Sequence, residues 1–244
     1  MERNSENILA ELRNLATKNA KEVAKRRLVP VEFVMGTSTG ATRKLAKSIG
    51  PDEILAEALW TSPYYEARIL AILIFPLSQI STSQLERWLD GINDWSICDL
   101  FVKTLALRSP HISMHFQHWT KSDNLYRKRA GLALIANHRM RSHKLSDDLI
   151  AKIEIVLRYS ARDNRKHVRQ ACCWALREFG KIDDAMREKA IELATELLEN
   201  RSEERRVGEE GRTRGVPEKE KKKRERRRDR RTRGEETKRR GMRV

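Results

Sequence analysis

The sequence predicts an all-α fold, and three observations support this prediction. Only 11 glycines and 6 prolines occur among 244 residues, and 39% of the residues are hydrophobic, which favours helices over turn-rich sheet. Apolar residues recur at helical spacing in one short segment after another. The strict alternation of apolar and polar residues that is typical of strands is not sustained. A chain of this length can form one sizeable domain with a real core.

Capping residues agree with this helical pattern. Ser62 followed by Pro63 predicts a helix start, Ser146 and Asp163 are candidate N-caps, and Gly180 is suited to a left-handed helix end. The predicted helices cover residues 5–26, 39–48, 52–60, 63–77, 83–89, 94–107, 111–120, 124–140, 147–160, 165–179 and 183–199.

Several of these helices share a short pattern. Segments 66–71, 127–133 and 168–176 each place a basic residue beside small and aliphatic residues, at separations in the range of helical-pair repeats. The pattern predicts an α-solenoid of HEAT-like repeats with a basic concave surface. In such arrays the second helices of successive pairs line that surface, so side chains distant in sequence can face each other across it.

Charge divides the chain at residue 200. Residues 201–244 hold 20 basic and 10 acidic side chains of the total of 51 and 35, which leaves residues 1–200 with a net charge of +6. Apolar residues are scarce in 201–244, so this tail is predicted to be disordered. Segment 201–208 also resembles the translation of a sequencing-adapter read, which predicts that the tail is an assembly artefact. A basic arm that contacts phosphates is the alternative.

Several protein classes find no support in the sequence. Cys98, Cys172 and Cys173 form no CxxC pair, which indicates a reducing compartment, and the expected location is the cytoplasm. The apolar run 69–77 contains Pro76 and falls short of the roughly 20 residues that span a membrane.

No cofactor is expected either. The sequence has no glycine-rich phosphate loop, so a nucleotide cofactor is not predicted. His111, His115 and His118 share a helical face, but they lack the acidic partner of a metal motif, and no metal site is predicted.

Trp95, Asp99 and Trp174 are the candidate site residues. Trp95 and Asp99 are four residues apart on one predicted helix, and Trp174 lies on a later helix of similar pattern. A spacing of four residues is about one helical turn, so an indole and a carboxylate share one face. Together with a second indole they could bind a cation.

Three segments extend this constellation: residues 92–99, 118–130 and 163–181. In order and spacing they resemble the AlkD-like DNA alkylation-repair family, over most of residues 40–195. Members of that family are HEAT-like-repeat glycosylases that remove N3- and N7-alkylated purines. The resemblance implies base excision from alkylated duplex DNA by a monomer, with Trp95, Asp99 and Trp174 at the lesion and Arg129 nearby.

The chemistry of such a substrate suits these residues. An alkylated purine is cationic, so an indole face attracts it, and Asp99 would stabilise positive charge on the sugar as the glycosidic bond breaks. Arg129 is one of six basic residues available for phosphates, and its alternative role is an ion pair with an acid inside the solenoid. The others are Arg127, Lys128, Arg165, Lys166 and Arg169.

Other interpretations of the same residues stay open. The solenoid could be a non-catalytic protein that binds unusual or branched DNA, or a protein-interaction scaffold, which is the commonest use of such arrays. Trp60, Trp88 and Trp119 are predicted to pack in the core or at its rim, and Cys172 and Cys173 to act as small hydrophobic residues.

Overall fold

The computed structural model describes residues 4–26, 30–138 and 145–214, with backbone alone from residue 200 onward. In these residues the chain forms helices and short 3₁₀ turns without a β-strand. The helices are α1 (Ser5–Asn14), α2 (Lys18–Arg26), α3 (Thr39–Ile49), α4 (Glu53–Trp60), α5 (Tyr65–Ile74), α6 (Thr82–Asp90), α7 (Trp95–Thr104), α8 (Ile112–Thr120), α9 (Leu125–His138), α10 (Asp147–Ala161), α11 (Lys166–Phe179) and α12 (Asp184–Arg214).

The helices stack as successive pairs. Helix α4 packs on α5, α8 on α9, and α10 on α11, while α5, α7, α9 and α11 contact one another in that order as an inner layer. Each inner helix therefore packs on the next inner helix along the stack, as in a one-dimensional repeat protein. The predicted all-α solenoid of HEAT-like repeats is confirmed.

Buried tryptophans fill the space between the layers. Trp88 and Trp119 are fully buried, and the rings of Trp60 and Trp88 stack with their centroids 4.5 Å apart. The indole nitrogens of both buried rings donate to carboxylates, that of Trp119 to Glu86 at 2.6 Å and that of Trp88 to Glu57 at 3.2 Å. The prediction that these three tryptophans pack in the core is confirmed.

The cysteines of α11 differ in exposure. Cys172 is buried, and its burial raises the pKa of its thiol to about 12, so it behaves as the small hydrophobic residue that we predicted. Cys173 is exposed, which corrects the prediction for that residue, because the next position of a helix points about 100° away from the buried stripe.

The first predicted helix, 5–26, is two helices. Helix α1 ends at Asn14, and the hydroxyl of Thr17 accepts from the backbone N–H of Ala20 at 3.2 Å to begin α2. The N–H of Thr17 donates to the carbonyl of Gly36 at 2.8 Å. A neighbouring loop therefore supplies partners for the backbone at the break.

Cap predictions had mixed outcomes. Ser146 caps α10 as predicted, but α5 begins at Tyr65 rather than at Pro63. Gly180 ends α11 with a right-handed φ of −69°, not the left-handed one that we predicted. A Cβ at Gly180 would lie 2.9 Å from the Cβ of Ala190, so this glycine permits the close approach of α12.

The boundary at residue 200 is not a break in secondary structure. Helix α12 continues to Arg214, into the segment for which the sequence predicted disorder. Glutamate and arginine residues recur there at helical spacing, and such pairs stabilise a polar helix. Residues 215–244 lie outside the described part of the chain, and the artefact hypothesis for the tail stays a prediction. No described helix has the length and apolar character required to cross a bilayer.

Gly131 on α9 lies at a close contact with α8. A Cβ at this position would lie 2.9 Å from the backbone nitrogen of Thr120 and 3.0 Å from the carbonyl oxygen of Phe116. We expect Gly131→Ala to destabilise the fold by about 1–3 kcal/mol, because backbone atoms must move to admit the methyl group. Urea denaturation would measure the change. Gly40→Ala is the matched control, because only the Ser38 hydroxyl lies near its Cβ, at 3.9 Å.

Candidate active site on the inner helices

The start of α7 fixes the candidate residues in place. The Oδ1 atom of Asp94 accepts from the backbone N–H groups of Ser96 and Ile97 at 2.8 and 3.0 Å, which caps the helix. The hydroxyl groups of Ser96 and Tyr65 lie 2.6 Å apart and tie α7 to α5. Trp95 therefore occupies the first position of α7, and Asp99 follows one turn later.

Asp99 forms a bidentate ion pair with Arg129 of α9. The Nε and Nη2 atoms of Arg129 donate to the two carboxylate oxygens at 2.9 and 2.7 Å, and Nη1 donates to the backbone carbonyl of His167 at 2.8 Å. Arg129 is only 5% exposed. One guanidinium thus holds together the N-terminal parts of α7, α9 and α11.

Trp95 completes this cluster. Its ring centroid lies 5.6 Å from the Cζ atom of Arg129, within the range of a cation–π interaction. The indole is partly exposed, so it can pack on Arg129 and still face a ligand. We call Trp95, Asp99 and Arg129 the carboxylate cluster.

The Asp99 side chain is partly accessible to solvent. Its side chain is 24% exposed, which leaves room for a ligand or a water to reach the carboxylate. Burial raises the pKa of Asp99 above its ordinary value, and the hydrogen bonds from Arg129 act in the opposite direction. The charge of Asp94 also raises this pKa.

Trp174 lies further along α11 and is not part of the bonded cluster. It is partly buried and follows His167 by seven residues, which places both on the same helical face, roughly 10 Å apart along the axis.

Comparison with known proteins decides the class of this chain. A family model described as DNA alkylation repair enzyme matches residues 8–207. The chain belongs to this DNA alkylation repair family. The match confirms the AlkD-like resemblance, and it begins before and ends beyond the segment 40–195 on which the resemblance rested.

A solved structure supports the same fold. It comes from a group of proteins described as related to the HEAT-like repeat DNA glycosylases and as having affinity for branched DNA. The two chains share 23% sequence identity with a TM-score of 0.72, and the alignment covers 80% of this chain and 83% of the other. This likeness establishes the architecture alone. No curated protein sequence gave a significant match.

In this member of the repair family, several basic residues that we predicted to bind DNA form internal ion pairs. Lys128 is 5% exposed, and its Nζ lies 3.2 Å from a carboxylate oxygen of Asp163. Arg165 also pairs with Asp163, at 2.6 Å, and together these partners keep the pKa of Asp163 below its ordinary value. Arg127 pairs with Glu86 and Asp90.

The structure therefore corrects the expectation that all six basic side chains are available to phosphates. Lys128 and Arg129 are buried, so their charges act inside the helix stack. Lys166 is exposed, and Arg169 is partly exposed. Among the described side chains, neither has an ion-pair partner, which leaves these two for a phosphate backbone.

Three features of the site could not be found from the sequence. The carbonyl of His167 accepts from Arg129, and backbone acceptors have no residue-type signal. Tyr65 positions α7 through its hydrogen bond with Ser96. In the sequence it is only an aromatic residue near a helix start, which does not indicate this contact. The pair of Asp99 with Arg129 joins residues 30 positions apart, and only the register between two inner helices reveals it.

Proposed function

We propose that this protein is a DNA glycosylase that excises cationic N3- or N7-alkylated purines from duplex DNA. The observation that carries the proposal is the carboxylate cluster: a partly exposed Asp99, fixed by two hydrogen bonds from Arg129, beside an accessible indole. Family membership supports the general class, which is alkylation repair. The proposed partner is duplex DNA that carries alkylated bases, bound by a single chain.

The chemistry requires little from the protein. Alkylation at N3 or N7 places a positive charge on the purine, which weakens the glycosidic bond and makes the base a good leaving group without a general acid. As the bond breaks, positive charge develops on the deoxyribose. A fixed carboxylate stabilises that charge more in the transition state than in the ground state.

Each member of the site would have a separate role. Asp99 would stabilise the sugar cation and orient the attacking water, as carboxylates do in glycoside hydrolysis. The Trp95 and Trp174 rings would attract the cationic base, by about 0.5–2 kcal/mol for each favourable contact. Arg129 is a positioning residue, because it holds both carboxylate oxygens of Asp99 from inside the stack.

The test is direct release of modified bases. The full chain is incubated with DNA treated with a methylating agent, and the released 3-methyladenine and 7-methylguanine are quantified by chromatography. Release above that of a heat-inactivated sample supports the proposal. Absence of both products would reject glycosylase activity on these lesions.

The proposed reaction should also depend on pH through Asp99. Because burial raises the pKa of Asp99 above the ordinary 3.8, the ionised, active carboxylate should be lost in acid earlier than for an exposed aspartate. We expect kcat/KM to rise with pH through a midpoint above 3.8. The raised pKa also means that ionisation of Asp99 costs stability, and this cost appears as pH rises through that midpoint.

A pH profile of kcat/KM would check this prediction, with the spontaneous depurination rate subtracted at each pH. Circular dichroism at the same pH values would separate titration from acid unfolding. An acid limb with its midpoint below 3.8 would contradict the assignment of Asp99 as the titrating group.

Non-catalytic binding to branched DNA is a second candidate. The similar solved structure comes from proteins described as having affinity for branched DNA, and in the present chain the Asp99 carboxylate is already engaged by Arg129. This candidate predicts salt-sensitive binding to a four-way junction, no base release, and no effect of Asp99→Asn on affinity.

Both candidates predict that Lys166 and Arg169 contact phosphates. Because each neutralised phosphate adds roughly 0.9 to the slope of log affinity against log salt concentration, removal of both side chains should reduce that slope by about 2. Fluorescence anisotropy with a labelled duplex at several salt concentrations would measure the change. Lys152→Ala, on the outer helix α10, is the matched control. An unchanged slope in Lys166→Ala/Arg169→Ala would place the phosphate contacts elsewhere.

A further inference from the structure

The loop that joins α6 to α7, residues 91–94, is bonded to Arg68 of α5. The Nη2 atom of Arg68 donates to the carbonyl of Gly91 at 2.6 Å, and its Nη1 atom donates to Oδ1 of Asn93 at 3.1 Å. Trp95 is the first residue of α7 and follows this loop directly. A single guanidinium on an inner helix therefore fixes the backbone segment that leads into the candidate site.

Two indoles hold the guanidinium itself in place. The Cζ atom of Arg68 lies 4.5 Å from the ring centroid of Trp60, a distance within the range of a cation–π interaction. Trp60 in turn stacks on Trp88, which is fully buried. The arginine thus rests on a platform that belongs to the core, and this platform limits its movement.

Gly91 permits the close approach of the loop to this stack. A Cβ at Gly91 would lie 3.2 Å from Nη2 of Arg68 and 3.4 Å from Nε1 of Trp60. The Nε atom of Arg68 is buried without a partner, so the hydrogen bonds of this guanidinium that the structure describes go to the loop alone. The polar interactions of Arg68 therefore act on the position of residues 91–94.

Electrostatic attraction acts in the same direction. Burial lowers the pKa of Arg68, and the negative charge of Asp94 opposes this change. Asp94 is the last residue of the loop, and its carboxylate caps α7 through the N–H groups of Ser96 and Ile97. The positive charge of Arg68 is thus stabilised by the residue that fixes the first turn of α7.

Trp95 requires this support because a cavity lies beside it. The cavity measures about 150 Å³, and Arg68, Asn93 and Trp95 are among the residues that line it. Atoms that face a void lose van der Waals contacts on that side, so packing alone does not fix the indole. The contact with Arg129 restrains the ring, whereas the position of the Trp95 backbone depends on the loop before it.

We propose that Arg68 is a positioning residue, which orients Trp95 toward bound DNA by fixing the loop 91–94. The inference rests on the proposed glycosylase function and adds a residue that acts through Trp95 rather than on the substrate. Two arginines then divide the support of the site, because Arg129 holds the Asp99 carboxylate and Arg68 holds the start of α7. Small displacements of site groups can slow a reaction by up to about 10²-fold, so such support affects the rate.

The first measurement follows Trp95 without any reaction. The full chain is labelled with fluorotryptophan, and the fluorine resonance of Trp95 is identified as the one that Trp95→Phe removes. Arg68→Met keeps an apolar stem against Trp60 but removes both donors to the loop. It should shift and broaden the Trp95 resonance and leave that of Trp174 in place. Asn93→Ala removes one acceptor and should give a smaller shift, and it carries the test if Arg68→Met does not fold.

The second measurement is the single-turnover rate of 7-methylguanine release. Arg68→Met should slow this release about tenfold and leave the affinity for an undamaged duplex unchanged. In a Trp95→Ala background, Arg68→Met should have little further effect, because it acts through the indole. A residue that only supports the fold would instead lower the rate by the same factor in both backgrounds.

The matched control is Arg13→Met. Arg13 also lies over an aromatic ring, with its Cζ atom 5.2 Å from the centroid of Tyr64, and donates to the Tyr64 hydroxyl at 3.2 Å. This control should change neither the Trp95 resonance nor the rate. An unmoved Trp95 resonance in both Arg68→Met and Asn93→Ala would overturn the inference. Equal losses of rate with and without the Trp95 indole would overturn it as well.

The outcome for Arg68 is separable from that for the proposed function. Release of methylated bases by the parent chain, with an unmoved Trp95 resonance in the variants, would reject the positioning role and keep the glycosylase proposal. A moved resonance in a chain that releases no methylated base would keep the role of Arg68 in orienting Trp95 and reject the glycosylase proposal.

Discussion

Asp99→Asn is expected to lower the rate of methylated-base release by about 10²–10³-fold. Removal of a single fixed group that stabilises transition-state charge has this magnitude in other enzymes. The amide keeps the size of the side chain but carries no charge to oppose the positive sugar. Single-turnover release of 7-methylguanine from a defined duplex would measure the loss.

Two controls define the result. Asp148→Asn removes an acid that is 73% exposed and pairs with Lys152 one turn away, and it should leave the rate unchanged. Binding to an undamaged duplex should be nearly the same in Asp99→Asn as in the parent chain. Full activity of Asp99→Asn would reject its catalytic role even if the chain proves to be a glycosylase.

Arg129→Leu is expected to cost about 3–5 kcal/mol of folding free energy, the range for removal of one partner of a buried ion pair. The change leaves Asp99 without its two donors and the carbonyl of His167 without its hydrogen bond. Because Asp99 is partly exposed, water can solvate it in part, and the lower end of the range is expected. Guanidinium denaturation would measure the effect.

A double-mutant cycle tests whether the ion pair is the cause. Arg129→Leu combined with Asp99→Leu removes both charges, and we expect the double variant to be more stable than Arg129→Leu alone. Arg169→Ala, on the neighbouring helix, should cost less than 0.5 kcal/mol, the usual limit for a surface substitution. If Arg129→Leu is as stable as Arg169→Ala, the guanidinium does not hold the inner helices together.

The sequence predicted the fold class and the face of α7 because both depend on local periodicity. Trp95 and Asp99 share a helical face whatever the tertiary structure, so their proximity follows from a spacing of four. The direction of the adjacent side chains of Lys128 and Arg129 depends on how α9 packs between α7 and α11. Sequence alone assigned Lys128 to DNA and left Arg129 between DNA and an ion pair inside the solenoid. The structure pairs Lys128 with Asp163 and Arg129 with Asp99.

The roles of two glycines also could not be predicted from the sequence. Gly180 follows a helix, and sequence reasoning assigned it to a left-handed turn because that is the commonest use of glycine there. Its actual role is to admit α12 at close range, and the same is true of Gly131 against α8. A close approach of two helices depends on partners that are distant in the chain, so no local pattern reports it.

Arg129 gives the protein a mechanical property as well as a chemical one. Its guanidinium is bonded to side-chain or backbone atoms of two other helices in the stack, so a change in the superhelical pitch of the repeats alters the orientation of the Asp99 carboxylate. In the proposed glycosylase reaction, bending of the stack around a duplex would thereby change the rate. Substitutions in the contacts between repeats, far from any DNA, are then expected to change reaction rate without changing binding.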